Sequence, residues 1–249
     1  MKTLPQYLVV MDVAKKQDAT ALQIWRNTPE FLKGDERVYL QDRIFHYFDL
    51  VFQTKMEHVP YTDQGDRIKA LMDSEAMKNN SELIVDGTGV GEPIIDILRS
   101  KSLRPTSIVF TNGEQLNIKY EDLNRRFGGF GTGIGTMKVV KQLDVPKKDL
   151  VAAGQAIIQQ ARLRIAPDVQ YVEDFKRQLI HFKGKVNEKT GYTSYNNDNP
   201  DIHDDLTVCF LMAMWYFKYR HYMDDERIVP QGSKSSSYDW DPLGKPGDF

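Results

Sequence analysis

Residues 6–27 read "QYLVVMDVAKKQDATALQIWRN". Leu8 to Met11 is a short apolar run that stops at Asp12, which is the length and composition of a buried strand. A polar turn, "KKQDA", follows, and "TALQIWRN" resumes as a second strand. "RVYLQDRIFHYF" (37–48) alternates roughly and reads as a third. Three such strands in a row predict an antiparallel meander. The period then changes. "YTDQGDRIKALMDSEAMKNN" (61–80) sets Ile68, Leu71, Met72 and Met77 in a helical pattern, with Asn79 and Asn80 suited to its C-terminal end. "SELIVDGTGVGEPIIDILRSKS" (81–102) gives a strand over Leu83 to Val85, then Asp86, a Gly-rich turn and a helix from about Pro93. "RPTSIVFTNG" (104–113) is another strand. The order β-β-β-α-β-α-β predicts an α/β fold, a mixed sheet with helices on its faces.

Downstream, "NRRFGGFGTGIGTMKVVKQLDVPKKDL" (124–150) is Gly-rich and basic, a loop or a hairpin. "PKKDLVAAGQAIIQQARLRI" (146–165) reads as a helix with Leu150, Ala153, Ile157, Ile158 and Ala161 on one stripe. "YVEDFKRQLIHFKGKV" (171–186) reads as a helix or a helix-to-strand passage, and "NEKTGYTSYNNDNPD" (187–201) as a polar loop. Then comes "HDDLTVCFLMAMWYFKYR" (203–220), a long apolar helix opening on two adjacent aspartates. Residues 1–229 are expected to form one domain, and the Ser/Pro/Gly-rich residues 230–249 a flexible tail.

Composition bounds less. The chain has 249 residues, 41% hydrophobic and 11% aromatic, which is globular usage. Its 33 basic and 35 acidic residues leave a formal charge of -2, and a near-neutral total can still hide a basic face opposite an acidic site. The single cysteine, Cys209, excludes a disulfide within the chain and fits a reducing compartment. The apolar stretch before Asp12 is too short for a secretory signal, and the run Leu206 to Phe217 is too short to span a bilayer. The expectation is a soluble, intracellular protein, not secreted and not in a membrane.

Asp12 and Asp86 each end a strand, and groups beyond the carboxyl ends of strands line the functional crevice of an open α/β sheet. Asp205 heads a helix able to pack beside that sheet. Three carboxylates converging there repel one another and stay ionised together only if cations neutralise them. Oxygen donors suit Mg²⁺ or Mn²⁺. Two such ions ~3.5–4 Å apart can activate a water and stabilise a leaving oxygen. Plainer readings stand beside this one. Asp204 can serve as an N-cap with Asp205 favoured by the helix dipole, and Asp86 can be a turn residue.

The set "VVMDVAKKQDAT", "LIVDGTGVGEPIIDIL", "VPKKDLVAAGQAIIQQARLRI", "EDFKRQLIHFKGKVNEKTGYTSYNN" and "HDDLTVCFLMAMW", in this order, resembles the nuclease domain of the large terminase subunit of phages and viruses. The resemblance spans about Tyr7 to Tyr219. It implies an RNase H-like (retroviral-integrase-like) fold and two-metal cleavage of concatemeric double-stranded DNA during viral genome packaging. Carried over by position, Asp12, Asp86 and Asp205 become catalytic metal-binding carboxylates, with Asp204 an auxiliary ligand. Asp18 matches an acidic turn position of the family. The implied partners are a terminase ATPase domain, the small terminase subunit and the portal, in the cytoplasm of an infected host cell. The P-loop pattern such an ATPase needs is absent from this sequence.

Arg125, Arg126, Lys138, Lys141, Lys147 and Lys148 are candidate contacts to the DNA backbone, with Lys183 and Lys185 weaker ones; ordinary surface lysines are the alternative. His203 reads as a helix-entry residue before it reads as a ligand. Met11, Met212, Met214, Trp215, Tyr216, Phe217, Tyr219 and Tyr222 read as core. Rival functions are a Holliday-junction resolvase, an RNase H, an actin-like sugar kinase, or a non-catalytic module that binds DNA or docks on a capsid.

Overall fold

The computed structural model describes residues 5–14, 19–32, 43–89, 91–122, 138–186, 193–199 and 201–225. Asp18, Arg125, Arg126 and residues 230–249 lie outside them. Strand β1 (Tyr7–Asp12) pairs antiparallel with β2 (Thr20–Leu32), which pairs antiparallel with β3 (Arg43–Met56). The predicted meander is therefore present. Helix α1 (Tyr61–Asp73) leads to β4 (Ser81–Asp86), and α2 (Gly91–Ser100) to β5 (Thr106–Thr111). β4 lies parallel to β1, and β5 parallel to β4. A hairpin of β6 (Asn117–Asp122) and β7 (Lys138–Pro146) extends the sheet, with β7 parallel to β5. After α3 (Lys147–Gln159), β8 (Leu163–Ile165) joins the far edge beside β3. Among the described residues the sheet has eight strands, in the order β6-β7-β5-β4-β1-β2-β3-β8. Helix α4 (Val172–His181), a small hairpin of β9 (Phe182–Val186) and β10 (Thr193–Asn197), and α5 (Asp205–Asp225) follow. A mixed central sheet flanked by helices is the α/β architecture expected of an RNase H-like chain.

Both faces of the sheet are buried, so the central strands are nearly continuous apolar runs. In β1 the pleat sends Leu8 and Val10 to the core under α3, α4 and α5, and Val9 and Met11 to the core shared with α1 and α2. In β4, Ile84 faces the first core while Leu83 and Val85 face the second. Asp12 keeps the parity of Val10, and Asp86 the parity of Ile84. Both carboxylates thus belong to the α5 face, at the carboxyl ends of neighbouring parallel strands.

Several boundaries differ from the sequence reading. β3 was expected over 37–48 but continues to Met56. Gln53 and Lys55 fall on its inward phase, which hides the alternation. α1 was expected to reach the Asn79–Asn80 pair but stops at Asp73, where Ser74 turns to extended geometry and its hydroxyl donates to the Leu71 carbonyl at 2.7 Å. Met77 still reaches the core, from a turn. α3 was expected to run to Ile165 but ends at Gln159, and Ala161 takes φ +52° before β8 begins. Ile158, expected on the buried stripe, is exposed. Part of the expected loop at 187–201 pairs as β10 with β9. No described helix is long and apolar enough to cross a membrane.

Candidate metal and nuclease centre

The N-terminal part of α5 sits against β1 and β2. The Cys209 thiol, one turn into the helix, lies 3.7 Å from the carbonyl oxygens of both Val10 and Ala21, which pins α5 across β1 and β2. The Asp204 carbonyl accepts the Val208 N–H at 2.7 Å, so Asp204 holds the N-cap position and Asp205 is the first helical residue.

These placements bring Asp86, Asp205 and Asp204 within electrostatic reach of Asp12. Asp12 is only half-buried at its outer edge, yet its carboxyl is held well above the ordinary carboxylate range. Desolvation is the largest cause, followed by the charges of Asp86, Asp205 and Asp204. Asp86 is raised too, mainly by burial. The Thr88 backbone N–H, which donates to its Oδ1 at 2.7 Å, and the Lys147 charge work against that rise. Asp12 and Asp86 are close enough for each to act on the other, and the pair together is pushed toward its neutral, protonated form. The turn after Asp86 depends on Gly91: a Cβ there would come within 2.0 Å of the Asp86 carbonyl oxygen.

Asp205 is held from the far side. Gln178 of α4 donates from Nε2 to Asp205 Oδ1 at 2.6 Å, while Gln178 Oε1 accepts the Leu206 and Thr207 N–H groups at 2.9 and 3.2 Å. One glutamine thereby caps the helix and aims its first carboxylate. A second amide relay lies beneath. Gln23 donates to Gln53 at 2.7 Å and to the Leu206 carbonyl at 3.1 Å, and accepts from the Trp25 indole at 3.0 Å. Lys55 Nζ lies 3.7 Å from Asp205 Oδ2 and bonds Asp174 of α4, whose pKa is lowered although burial pushes it the other way.

Lys55, Asp174 and Gln178 are neighbours of the candidate site that the sequence reading missed. The signal for Gln178 was a polar residue in helical register with Phe175, both of them buried. For Lys55 it was a polar residue on a strand's inward phase.

The candidate DNA contacts separate. Lys147 and Lys148 start α3 at the carboxyl end of β7, the same sheet end as Asp86. Lys147 Nζ lies 5.6 Å from the Phe182 ring centre and 3.5 Å from Asn196 Oδ1. Lys141 is exposed but six positions back along β7, about 20 Å from Lys147 by strand rise. Lys138 opens that strand. Lys183 is paired with Asp198, whose pKa its ammonium and the His181 ring lower to about 2. Lys185 is exposed on β9, and so is His203 just before the N-cap. Met11, Met212, Met214, Trp215, Tyr216, Phe217 and Tyr219 are buried, as core residues should be.

The donor set is carboxylate oxygen throughout, the chemistry of a hard divalent cation site. Among the described residues, no three His, Cys, Asp or Glu side chains are grouped as they would be around an ion. The fit lies in charge and donor type. Asp86, Asp205 and Asp204 all act electrostatically on Asp12, and no Lys or Arg is ion-paired with Asp12 among the described residues. Carboxylates bind a metal in their ionised form, so a cation at this site would compete with protons.

No family model matches the chain, and neither does any curated protein. Among solved structures, the nuclease domain of the g2p large terminase from bacteriophage SPP1, with bound Mn, is similar to it at 13% identity. That likeness covers 85% of this chain and 88% of the other, with a TM-score of 0.40.

Proposed function

We propose that this protein is a metal-dependent endonuclease of RNase H-like type that cuts double-stranded DNA as the nuclease of a genome-packaging terminase. The observation that carries the reading is the placement of Asp12 at the end of β1, beside β4, within electrostatic reach of Asp86, Asp205 and Asp204. A buried cluster of like charges destabilises a fold unless a counter-charge or a bound proton offsets it, and such clusters mark functional sites. Asp12, Asp86 and Asp205 would hold Mg²⁺ or Mn²⁺, with Asp204 beside them. When bound, two such ions supply an attacking water of lowered pKa and neutralise charge on the departing 3′-oxygen, leaving 5′-phosphate ends.

The chain's own residues do the rest. Gln178 keeps Asp205 aimed at Asp12. Lys147 and Lys148 hold backbone phosphates next to the carboxylates, and Lys138 and Lys141 hold phosphates farther along the duplex. The terminase role, with an ATPase domain, a small subunit and a portal as partners, follows the sequence resemblance alone.

The test uses supercoiled plasmid with Mn²⁺, Mg²⁺, Ca²⁺ or EDTA, on the wild type and on Asp12→Asn. Nicking and linearisation with Mn²⁺ or Mg²⁺, absent in EDTA and in the variant, is the expected result. Cleavage by folded Asp12→Asn at the wild-type rate would sink the assignment.

A further inference from the structure

Lys55 stands where the acidic cluster meets α4. Its strand neighbour Ala21 is also the partner of Asp12, so Lys55 lies two strands from that carboxylate. The side chain is only 13% exposed, and its ammonium faces two carboxylates unequally. Asp174 is in close contact with it, while Asp205 Oδ2 stands off at 3.7 Å. The Tyr171 ring centre lies 5.9 Å away, and Arg177 also pairs with Asp174 at 2.9 Å. Asp205 keeps its own donors, Gln178 and the Leu206 N–H, on Oδ1.

That asymmetry has a consequence for cations. An ammonium fully paired with Asp205 would cancel one of the charges that draw a divalent ion to the cluster. An ammonium also paired with Asp174 has its charge largely offset by that carboxylate, so at 3.7 Å it neutralises Asp205 only in part. We propose that Asp174 and Lys55 form a charge clamp that sets the cation affinity of the acidic cluster: Asp174 offsets the Lys55 ammonium and keeps it from pairing fully with Asp205, which leaves that carboxylate charge to draw a divalent ion. Both are positioning residues, acting through Asp205. The clamp rests on the metal-dependent reading above.

The clamp makes an unusual demand on mutants, because its two halves must act with opposite sign. Mn²⁺ binding to the full chain is measured by titration calorimetry for wild type, Asp174→Asn, Lys55→Met, the double variant and Asp12→Asn. Asp174→Asn releases Lys55 onto Asp205 and should weaken Mn²⁺ binding about tenfold, the scale of outer-sphere effects at metal sites. Lys55→Met should bind at least as tightly as wild type, and the double variant should return to near the wild-type affinity. Circular dichroism checks that each variant is folded. Asp174 is the more exposed partner at 23%, so its isosteric replacement carries the test if Lys55→Met does not fold.

Loss of affinity in both single variants with no recovery in the double would mean a merely structural bridge and overturn the clamp. So would an Asp174→Asn affinity within about twofold of wild type. In either case Asp12→Asn still loses Mn²⁺, and the nuclease reading survives. A wild type that binds no Mn²⁺ overturns both.

Discussion

At the scale of single residues, one glutamine does two jobs. The Gln178 carbonyl oxygen takes two of the N–H groups that the first turn of α5 leaves without helical partners, and its amide fixes Asp205. Truncating a buried side chain with several hydrogen bonds leaves each partner unsatisfied, at about 1–3 kcal/mol apiece. Gln178→Ala should therefore lower the melting temperature by several degrees and reduce metal-dependent cleavage at least tenfold. Thermal denaturation and plasmid cleavage on the same preparation would check both; cleavage at the wild-type rate would show that Asp205 does not need this support. Gln178→Glu should do worse at the site than its shape suggests, because a second carboxylate would face Asp205 directly. The four aspartates were legible in the sequence because each ends a strand or opens a helix, positions with a recognisable local pattern. Gln178, Lys55 and Asp174 were not. Their roles arise from packing α4 against β3 and α5, and no local spacing reports a contact between residues as far apart in sequence as 55 and 174.

Elements were legible where one period dominates and lost where polar side chains turn inward. β1, β4 and α5 fall where their apolar runs place them. β3 was cut short because Gln53 and Lys55 interrupt its alternation, and both are satisfied only by distant partners, Gln23, Gln170 and Asp174. α3 was read too long because Ile158 and Ala161 keep the helical spacing after the backbone has turned. Its burial is set instead by Leu150, Val151, Ala153 and Gly154. Gly154 marks a close approach of α3 to α5: a Cβ there would lie 2.5 Å from Leu211 Cδ2 and 2.9 Å from Phe210 Cε1. Both neighbours are buried, and Phe210 also packs 5.6 Å from the Trp25 ring. Gly154→Ala gains helix propensity of about 1 kcal/mol. It must also push α5 outward or strain Phe210, at a cost of about 1–3 kcal/mol. The overpacking should win, lowering the melting temperature by a few degrees in calorimetry. A stabilised variant would mean that the α3–α5 interface relaxes freely. Because α5 carries Asp204 and Asp205, the same variant should lose more cleavage than its stability loss alone explains.

For the whole molecule, the acidic cluster couples folding to protons and, on the proposed metal-dependent reading, to cations. The Asp12 and Asp86 pKa values are raised in the folded state, so folding favours their neutral forms. Their contribution to stability is complete below the unfolded carboxylate pKa and is lost as pH rises through the raised native values. Asp144, Asp174 and Asp198 are shifted the other way. Their contributions are present above the unfolded value and are lost only as pH falls through the lowered native ones. The two groups therefore act in separate windows. Above about pH 5 the lowered carboxylates are ionised in both states and add no slope, leaving the cluster to set it. In EDTA, the melting temperature should fall as pH is raised from about 5 toward 8, and Asp12→Asn should be more stable than wild type at the upper end because it removes a buried charge. Saturating Mn²⁺ should reverse both results, stabilising wild type as a ligand of the native state and leaving Asp12→Asn nearly unmoved. Differential scanning calorimetry at several pH values, with EDTA and with Mn²⁺, reads all of these at once. A metal-free wild type whose stability is flat across that range, or an Asp12→Asn variant that is less stable than wild type in EDTA, would mean that the cluster carries no unfavourable charge and needs no cation.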